Sequence, residues 1–392
     1  MLKKRYLQEK IEKDLKNKMV FIGGPRQVGK TTLAKMISEE AYPVSRYFNW
    51  DNSQDRKKII ADRFFDPETK LVIFDEIHKY KKWKNFVKGQ FDKHKEEFTI
   101  LVTGSARLDI YMRGGDSLMG RYYYFRLHPL SLAEVSNITS NIEPFGKLIF
   151  SHEKNLSLNC KNLLAFGGFP EPFFKKDKEE LLRWHNQRID RLVKEDIRDI
   201  ESIRDLSAIQ ILVELLPEKV GSLLSLNSLR EDMEVAYDTI KLWMNILEKF
   251  YYHFRIHPFL KKTIRSLKKE PKMYLWDWSQ VSDEAAKLEN MVASHLLKFC
   301  HFLYDVKGIK AELFYLRDIE KREVDFLVVV DKEPWFATEV KKSDQTVSKS
   351  LLYFGEKLNI PFKYQLVQTE DVDFMQKDVR VMSVAKFLSA LV

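Results

Sequence analysis

The chain has 392 residues, 44% of them hydrophobic and 31% charged, with a formal net charge of +9. That length exceeds one ordinary domain and holds two to four, while the balance excludes a disordered chain and leans weakly toward an acidic partner such as nucleic acid. The two distant cysteines, Cys160 and Cys300, exclude a disulfide or zinc framework; with no run of transmembrane length and no signal-peptide core after Met1–Arg5, a cytoplasmic protein without a membrane partner is expected. The first elements in chain order are an apolar strand, Met19–Ile22, and a helical pattern over Thr32–Ile37. Between them, Gly24-Pro25-Arg26-Gln27-Val28-Gly29-Lys30-Thr31 spell G-x-x-x-x-G-K-T. Glycines there let backbone N–H groups approach phosphates, and the following helix presents the positive end of its dipole. Lys30 is placed to reach the β- and γ-phosphates and the Thr31 hydroxyl to ligate Mg²⁺, with Thr32 opening the helix. This is a nucleoside triphosphate site.

A second strand, Arg46–Trp50, precedes the buried run Leu71-Val72-Ile73-Phe74, which ends in Asp75-Glu76. In this form Asp75 contacts Mg²⁺ and Glu76 orients or deprotonates the attacking water. Lys79–Lys84 interleaves aromatics with lysines and reads as a loop that follows a phosphate backbone, with Trp83 free to stack on a base, or simply as a solvated loop. The strand Thr99–Val102 runs into Thr103-Gly104-Ser105, where Thr103 and Ser105 are candidate γ-phosphate sensors and also good turn residues. Arg121 is the candidate arginine for the charge that spreads over the γ-phosphoryl oxygens in the transition state.

Past residue 130 the pattern turns helical as far as about 206, broken once by Gly167-Gly168-Phe169-Pro170. Residues 207–262 predict a helix-turn-helix: a capped helix at Leu226–Met233, a turn at Val235–Asp238, and a second helix over Thr239–Lys249 with Leu242, Ile246 and Leu247 inward. Tyr251–Ile256 reads as a strand or wing. Tyr237, Asp238 and Lys241 face outward on the helix that would enter a groove, although Glu231, Asp232 and Glu234 make its surroundings acidic and a plain protein-interaction role is equally open. A basic connector, residues 263–279 and the lysines just before it, follows. From 280 to 392 the order is helix, three strands, helix, strand. There Asp325 opens one strand and Glu339-Val340-Lys341 ends the next, which resembles the PD-(D/E)XK nuclease signature. In that chemistry Asp325 and Glu339 hold a metal, Lys341 stabilises the attacking hydroxide or the phosphate charge, and Glu289 approaches from the preceding helix. Period-two geometry sets Glu339 and Lys341 on one face. Asp325 joins them only with an odd-length loop or a bulge around Asp331–Pro334. Val324 stands where that family usually has proline.

Together, GPRQVGKTTL, LVIFDEIHKY, LVTGSARLD, LMGRYYYFRLHPLSLAEV and FGGFPEPF resemble a widespread group of prokaryotic AAA+ ATPases, in which the ATPase is followed by a winged helix and a restriction-endonuclease-like domain. The resemblance spans nearly the whole chain. It implies an α/β protein: a parallel P-loop sheet in the order 5-1-4-3-2 over residues 1–130, a helical lid over 131–206, a winged helix over 207–262 and a C-terminal nuclease-like α/β domain over 280–392. The motifs themselves set ATP and Mg²⁺ as the expected cofactors and the basic balance sets DNA as the expected partner, while Arg121 is either a transition-state arginine, which in a homo-oligomer could complete a neighbour's site, or a solvated surface residue. Two activities remain open on this reading: an ATPase with a Mg²⁺-dependent nuclease domain, and a non-cutting ATP-dependent switch or scaffold whose nuclease-like domain docks a partner.

Overall fold

The computed structural model describes residues 4–62, 66–104, 118–140, 142–151, 153, 155–198, 205–260, 269–343 and 346–392. The chain divides into two units, residues 1–128 with 249–251, and residues 129–248 with 252–392. Among the described residues no helix is long and apolar enough to cross a membrane.

In the first unit the most apolar runs become the central strands. β1 (Met19–Gly23) and β3 (Leu71–Asp75) are buried throughout, and β4 (Thr99–Thr103) at all but its first residue. Strands so uniformly apolar belong to a parallel sheet covered on both faces. The half-exposed β2 (Ser45–Asn49) and β5 (Tyr122–Arg126) form the edges. The order is β2-β3-β4-β1-β5 with every pairing parallel, which is the expected 5-1-4-3-2 read from the other side. Among the described residues four helices accompany the strands: α1 (Gln8–Leu15), α2 (Lys30–Ala41), α3 (Ser53–Ile60) and α4 (Trp83–His94). Trp83 corrects the sequence reading. It is 3% exposed, opens α4 and sets its ring edge-on to Phe21, 6.1 Å between centroids, so it packs the sheet instead of offering a base-stacking platform. Its lysine neighbours stay in solvent while the helix start aims the indole inward.

The second unit is built on an eight-stranded mixed sheet in the order β12-β13-β11-β10-β9-β8-β6-β7. Its strands are β6 (His253–Pro258), β7 (Lys272–Leu275), β8 (Ala311–Arg317), β9 (Glu323–Val330), β10 (Glu333–Lys341), β11 (Phe362–Val367), β12 (Asp373–Gln376) and β13 (Val379–Ser383). From 284 onward the expected order of helix, three strands, helix and strand is present, followed by the hairpin β12–β13 that the pattern reading omitted. The hairpin β6–β7 does not stand apart. β6 continues into a parallel pairing with β8, so one strand of the middle segment and one of the connector form one edge of this sheet.

The helical stretch after residue 131 lies in this same unit. Leu132 N–H donates to His295 Nε2 at 3.0 Å, Trp278 Nε1 donates to the Leu163 carbonyl at 2.7 Å, and the buried Lys298 pairs with Glu134. The break at Gly168 has a steric cause. A Cβ there would lie 2.6 Å from the Trp278 ring and 2.7 Å from the Leu130 carbonyl, so only glycine permits the approach. In the helix-turn-helix segment the helices run Leu226–Asp232 and Tyr237–Lys249. Tyr237, Asp238 and Lys241 are exposed and Ile246 and Leu247 are buried, as expected. Leu242 is not inward: it is 39% exposed, because the buried stripe runs through Ile240, Trp243, Met244 and Leu247 and position 242 falls on the opposite side of the 3.6-residue turn. Of the basic connector, residues 261–268 lie outside the described residues. Lys272, within it, opens β7 and is buried.

Candidate functional site

Parallel strands gather their carboxyl ends at one edge of a sheet, and ligands of such sheets bind there. The register aligns Ile22 with Thr103, and Asn49 with Asp75 and Thr103, so the ends of β1, β2, β3 and β4 meet. Gly24 follows β1 with φ +136°, and a Cβ there would stand 2.4 Å from the Leu127 carbonyl. Pro25, Arg26, Gln27 and Val28 carry the loop to Gly29 and to the first turn of α2, which holds Lys30, Thr31 and Thr32. Val28 is fully buried, and its carbonyl accepts from Arg5 NH1 at 2.8 Å while Arg5 NH2 donates to the His128 carbonyl at 2.6 Å. The loop is therefore clamped from a residue well upstream of β1.

Within the cradle, Lys30 Nζ donates to the carbonyls of Gly24 at 3.0 Å and Pro25 at 2.7 Å. Asp75, 4% exposed, collects three hydroxyl donors. Thr31 Oγ1 donates to its Oδ2 at 2.7 Å, the Tyr47 phenol to the same oxygen at 2.6 Å, and Thr103 Oγ1 to Oδ1. Thr103 thus sits on the Asp75 carboxylate; Ser105, the second sensor candidate, lies outside the described residues. Glu76 takes a left-handed backbone, φ 57°, as the chain leaves β3 for a short 3-10 turn at Ile77–Lys79. A non-glycine residue held there stores strain of a kind that clusters at functional sites. Its Oε2 is buried without a hydrogen bond, 3.5 Å from His78 Nε2 and 3.7 Å from Lys79 Nζ. Burial pushes the Glu76 carboxyl above its ordinary range; Asp75 adds to the rise, while Lys30, Lys79 and Arg26 offset part of it.

These residues fit a nucleoside triphosphate with Mg²⁺. A cradle that a Cβ would fill, a helix N-terminus, a buried lysine and a Thr31–Asp75 oxygen pair make up the donor set of such a site. Sequence reasoning missed Tyr47, Arg5 and His78. Tyr47 reaches Asp75 only because β2 lies beside β3, and burial together with Asp75 holds its phenol well above the usual range, fixing it as a donor. Arg121 is not brought to the P-loop of its own chain. It precedes β5, whose first residue pairs with Met19 at the start of β1, and roughly 13 Å of strand separates that end from Gly23. There its guanidinium makes a two-point pair with Asp92, Nε to Oδ1 at 2.7 Å and NH2 to Oδ2 at 3.2 Å.

The second unit carries the other predicted constellation. β9 and β10 pair Glu333 with Val330 and Pro334 with Val329, and then Phe336 with Val328. One residue, Trp335, is thus bulged out, and the shifted register runs through Thr338 opposite Phe326 to bring Asp325 level with Glu339. This is the condition set by the sequence, met one position beyond the expected stretch. Asp325 Oδ2 accepts from the Val340 N–H at 2.8 Å, and Lys341 Nζ pairs with Glu339 Oε1 at 2.7 Å. Glu289 reaches the cluster from the helix Glu284–Lys307 and accepts from the Tyr274 phenol at 2.6 Å. Burial first, and Asp325 second, raise the carboxyls of both Glu289 and Glu339 above their ordinary range.

A metal does not fit this cluster as it stands. The Lys272 ammonium, on a residue 3% exposed, lies 3.2 Å from Glu289 Oε1, 2.6 Å from Glu323 Oε1 and 3.4 Å from Asp325 Oδ1. Burial alone would lower this lysine's pKa, but Asp325, Glu289 and Glu323 outweigh it and hold the ammonium charged. Among the described residues no group of three or more His, Cys, Asp or Glu side chains is arranged to hold a metal ion. Of the residues expected to hold a metal, Glu289 and Asp325 face this ammonium and Glu339 is paired with Lys341.

Residues 16–136 match the model of an AAA domain, residues 158–285 that of a domain of unknown function (DUF8612), and residues 285–387 that of another (DUF4143). Relatives include the uncharacterized protein MJ1637 of Methanocaldococcus jannaschii, 26% identical over 89% of this chain and 83% of that protein. The uncharacterized protein Rv2008c of Mycobacterium tuberculosis is 21% identical over 85% of this chain and 72% of its own length. Among solved structures, the Thermotoga maritima RuvB Holliday junction branch migration motor matches 67% of this chain and 93% of its own, with 16% identity and a TM-score of 0.31. The Aeropyrum pernix Orc1 protein in complex with DNA matches 75% of this chain and 93% of its own, with 11% identity and a TM-score of 0.35.

Proposed function

We propose that the first unit binds and hydrolyses ATP. The observation that carries this reading is the Asp75 carboxylate, held by Thr31, Tyr47 and Thr103 beside a half-buried, strained Glu76. Lys30 exchanges its two loop carbonyls for phosphate oxygens, and the backbone N–H groups of Arg26–Thr31 take up the remaining charge. Mg²⁺ held by Thr31 and Asp75 would neutralise charge on the phosphates. Glu76, half-buried and raised in basicity, orients the attacking water and accepts its proton. Arg121, remote from its own P-loop, serves the γ-phosphate of a neighbouring copy, which makes the working form a homo-oligomer. The test separates cradle from base. Lys30→Ala abolishes or severely weakens nucleotide binding, whereas Glu76→Gln keeps binding and slows turnover by about a hundredfold or more. Wild-type turnover in Glu76→Gln would remove Glu76 from this role.

The second unit is assigned to DNA or protein docking. The outward Tyr237, Asp238 and Lys241 mark the helix that would meet a partner. DNA binding of this kind weakens steeply with salt through counterion release; affinity indifferent to salt would point to a protein partner instead. Of cutting and docking, the Lys272 ammonium among the acids favours docking. On that reading DNA incubated with Mg²⁺ or Mn²⁺ stays intact, and cleavage lost in Lys341→Ala would reinstate the nuclease.

A further inference from the structure

We infer that the Lys272 ammonium is the resident cation of the C-terminal acidic cluster, standing in place of a divalent metal and clasping β7 to β9 and to the helix Glu284–Lys307. The inference deepens the docking reading of the second unit and rests on it. An ammonium has three N–H donors, and three carboxylate oxygens surround this one: Glu289 Oε1, Glu323 Oε1 and Asp325 Oδ1, at 3.2, 2.6 and 3.4 Å. Each acid is also committed elsewhere. The Tyr274 phenol donates to Glu289, Arg317 pairs with Glu323 Oε2, and the Val340 N–H donates to Asp325 Oδ2. A divalent ion entering here must expel a buried ammonium and break these bonds as well. The same three acids without Lys272 would be like charges packed around a buried point, which is the situation that recruits a metal.

Mn²⁺ serves as the probe, by electron paramagnetic resonance of the full chain without nucleotide. A Lys30→Ala background weakens the P-loop as a competing site. With Lys272 present, millimolar Mn²⁺ leaves no ion bound at the cluster and no change in melting temperature. Lys272→Met, which keeps the stem and removes the charge, melts lower and gains one Mn²⁺ site that restores part of the loss. Adding Asp325→Asn removes that site. Mn²⁺ bound while Lys272 is intact, and lost with Asp325→Asn, would overturn the inference even if no DNA were cut. A folded Lys272→Met that acquires no Mn²⁺ also counts against it. Should Lys272→Met fail to fold, the Lys272-intact pair with and without Asp325→Asn decides alone. Asp325-dependent Mn²⁺ refutes the resident ammonium, and none upholds it. DNA cleavage in Mn²⁺ is scored separately, because it tests the docking reading and not the occupant of the cluster.

Discussion

Replacing Tyr47 by phenylalanine deletes one hydroxyl and leaves the ring in place, since Lys35 Nζ lies over that ring 4.8 Å from its centroid. In the structure Asp75 Oδ2 has two donors, Thr31 and Tyr47. Mg²⁺ held by Thr31 and Asp75 would take the Thr31 hydroxyl, which would leave the Tyr47 phenol as the group that aims Oδ2. The deletion is therefore felt in the loaded state more than in the empty one. A hydrogen bond to a charged acceptor contributes ~1.5–3 kcal/mol, and for a partly buried phenol the lower end applies. At about 1.4 kcal/mol per tenfold, Tyr47→Phe lowers kcat for ATP about tenfold. The assay is steady-state hydrolysis at saturating Mg²⁺ and ATP, with binding of a fluorescent nucleotide alongside. Nucleotide affinity should stay within about twofold, a change near 0.4 kcal/mol on the same scale. Unchanged turnover would show that Thr31 and Thr103 suffice to aim Asp75. An equal loss of binding and rate would mean that Tyr47 supports the loop and not the carboxylate.

Arg121→Ala should lose rate far more than nucleotide affinity, because an arginine supplied in trans contributes about 10³ or more to kcat; mixing it with Lys30→Ala subunits should restore part of the activity, and the wild-type rate per subunit should rise with protein concentration. A concentration-independent rate without rescue would leave Arg121 as half of a surface pair with Asp92. His295 predicts an acid limb in the stability of the second unit. Its Nδ1 donates to the Met291 carbonyl and its Nε2 accepts from Leu132 N–H, a neutral tautomer, and burial depresses its pKa from 6.5 to about 4. The unfolded chain binds the proton first, so this stability is complete above pH 6.5 and is lost as pH falls toward 4. Urea unfolding should show a loss between pH 7 and pH 5 of which His295→Gln removes roughly 2 kcal/mol, the likewise buried His253 supplying a similar share that remains. An equal slope in both proteins would place the acid sensitivity elsewhere. Gly24→Ala should cost nucleotide binding without removing the sheet, since its Cβ meets the Leu127 carbonyl at 2.4 Å beside the cradle; binding at wild-type affinity would show that the loop relaxes freely.

The residues visible from sequence are those whose task is done by neighbours along the chain. Gly24–Thr31 and Asp75-Glu76 each sit where one strand ends, and a strand end is readable from an apolar run. Tyr47 was not legible because its partner is one strand away in space and 28 residues away in sequence. Lys272 was read as part of a basic run, whereas the pairing of β7 with β6 turns it inward, 53 residues before Asp325. Trp83 misled for the related reason that composition describes a loop and a helix start decides a direction. The bulge in β10 lies between these cases. Period-two geometry demanded an extra residue, but nothing local distinguished Trp335 from the turn before it. Arg121 looked catalytic from its surroundings in sequence, and only the parallel pairing of β5 with β1 revealed which edge of the sheet it occupies.

The shared sheet of the second unit bears on how such a chain can be divided, in the laboratory or by recombination. A fragment beginning at residue 280 would contain the helix, the β8–β10 meander and Asp325, Glu339 and Lys341, and by motif it would look complete. It would lack β6, leaving the backbone of β8 at Phe314–Tyr315 as an open edge able to pair with another copy. It would also leave Glu289, Glu323 and Asp325 behind without Lys272. Such a fragment should self-associate and be unusually sensitive to divalent ions, two behaviours easily mistaken for native properties. A breakpoint near residue 129 avoids both, because it cuts between the two units and not through a sheet.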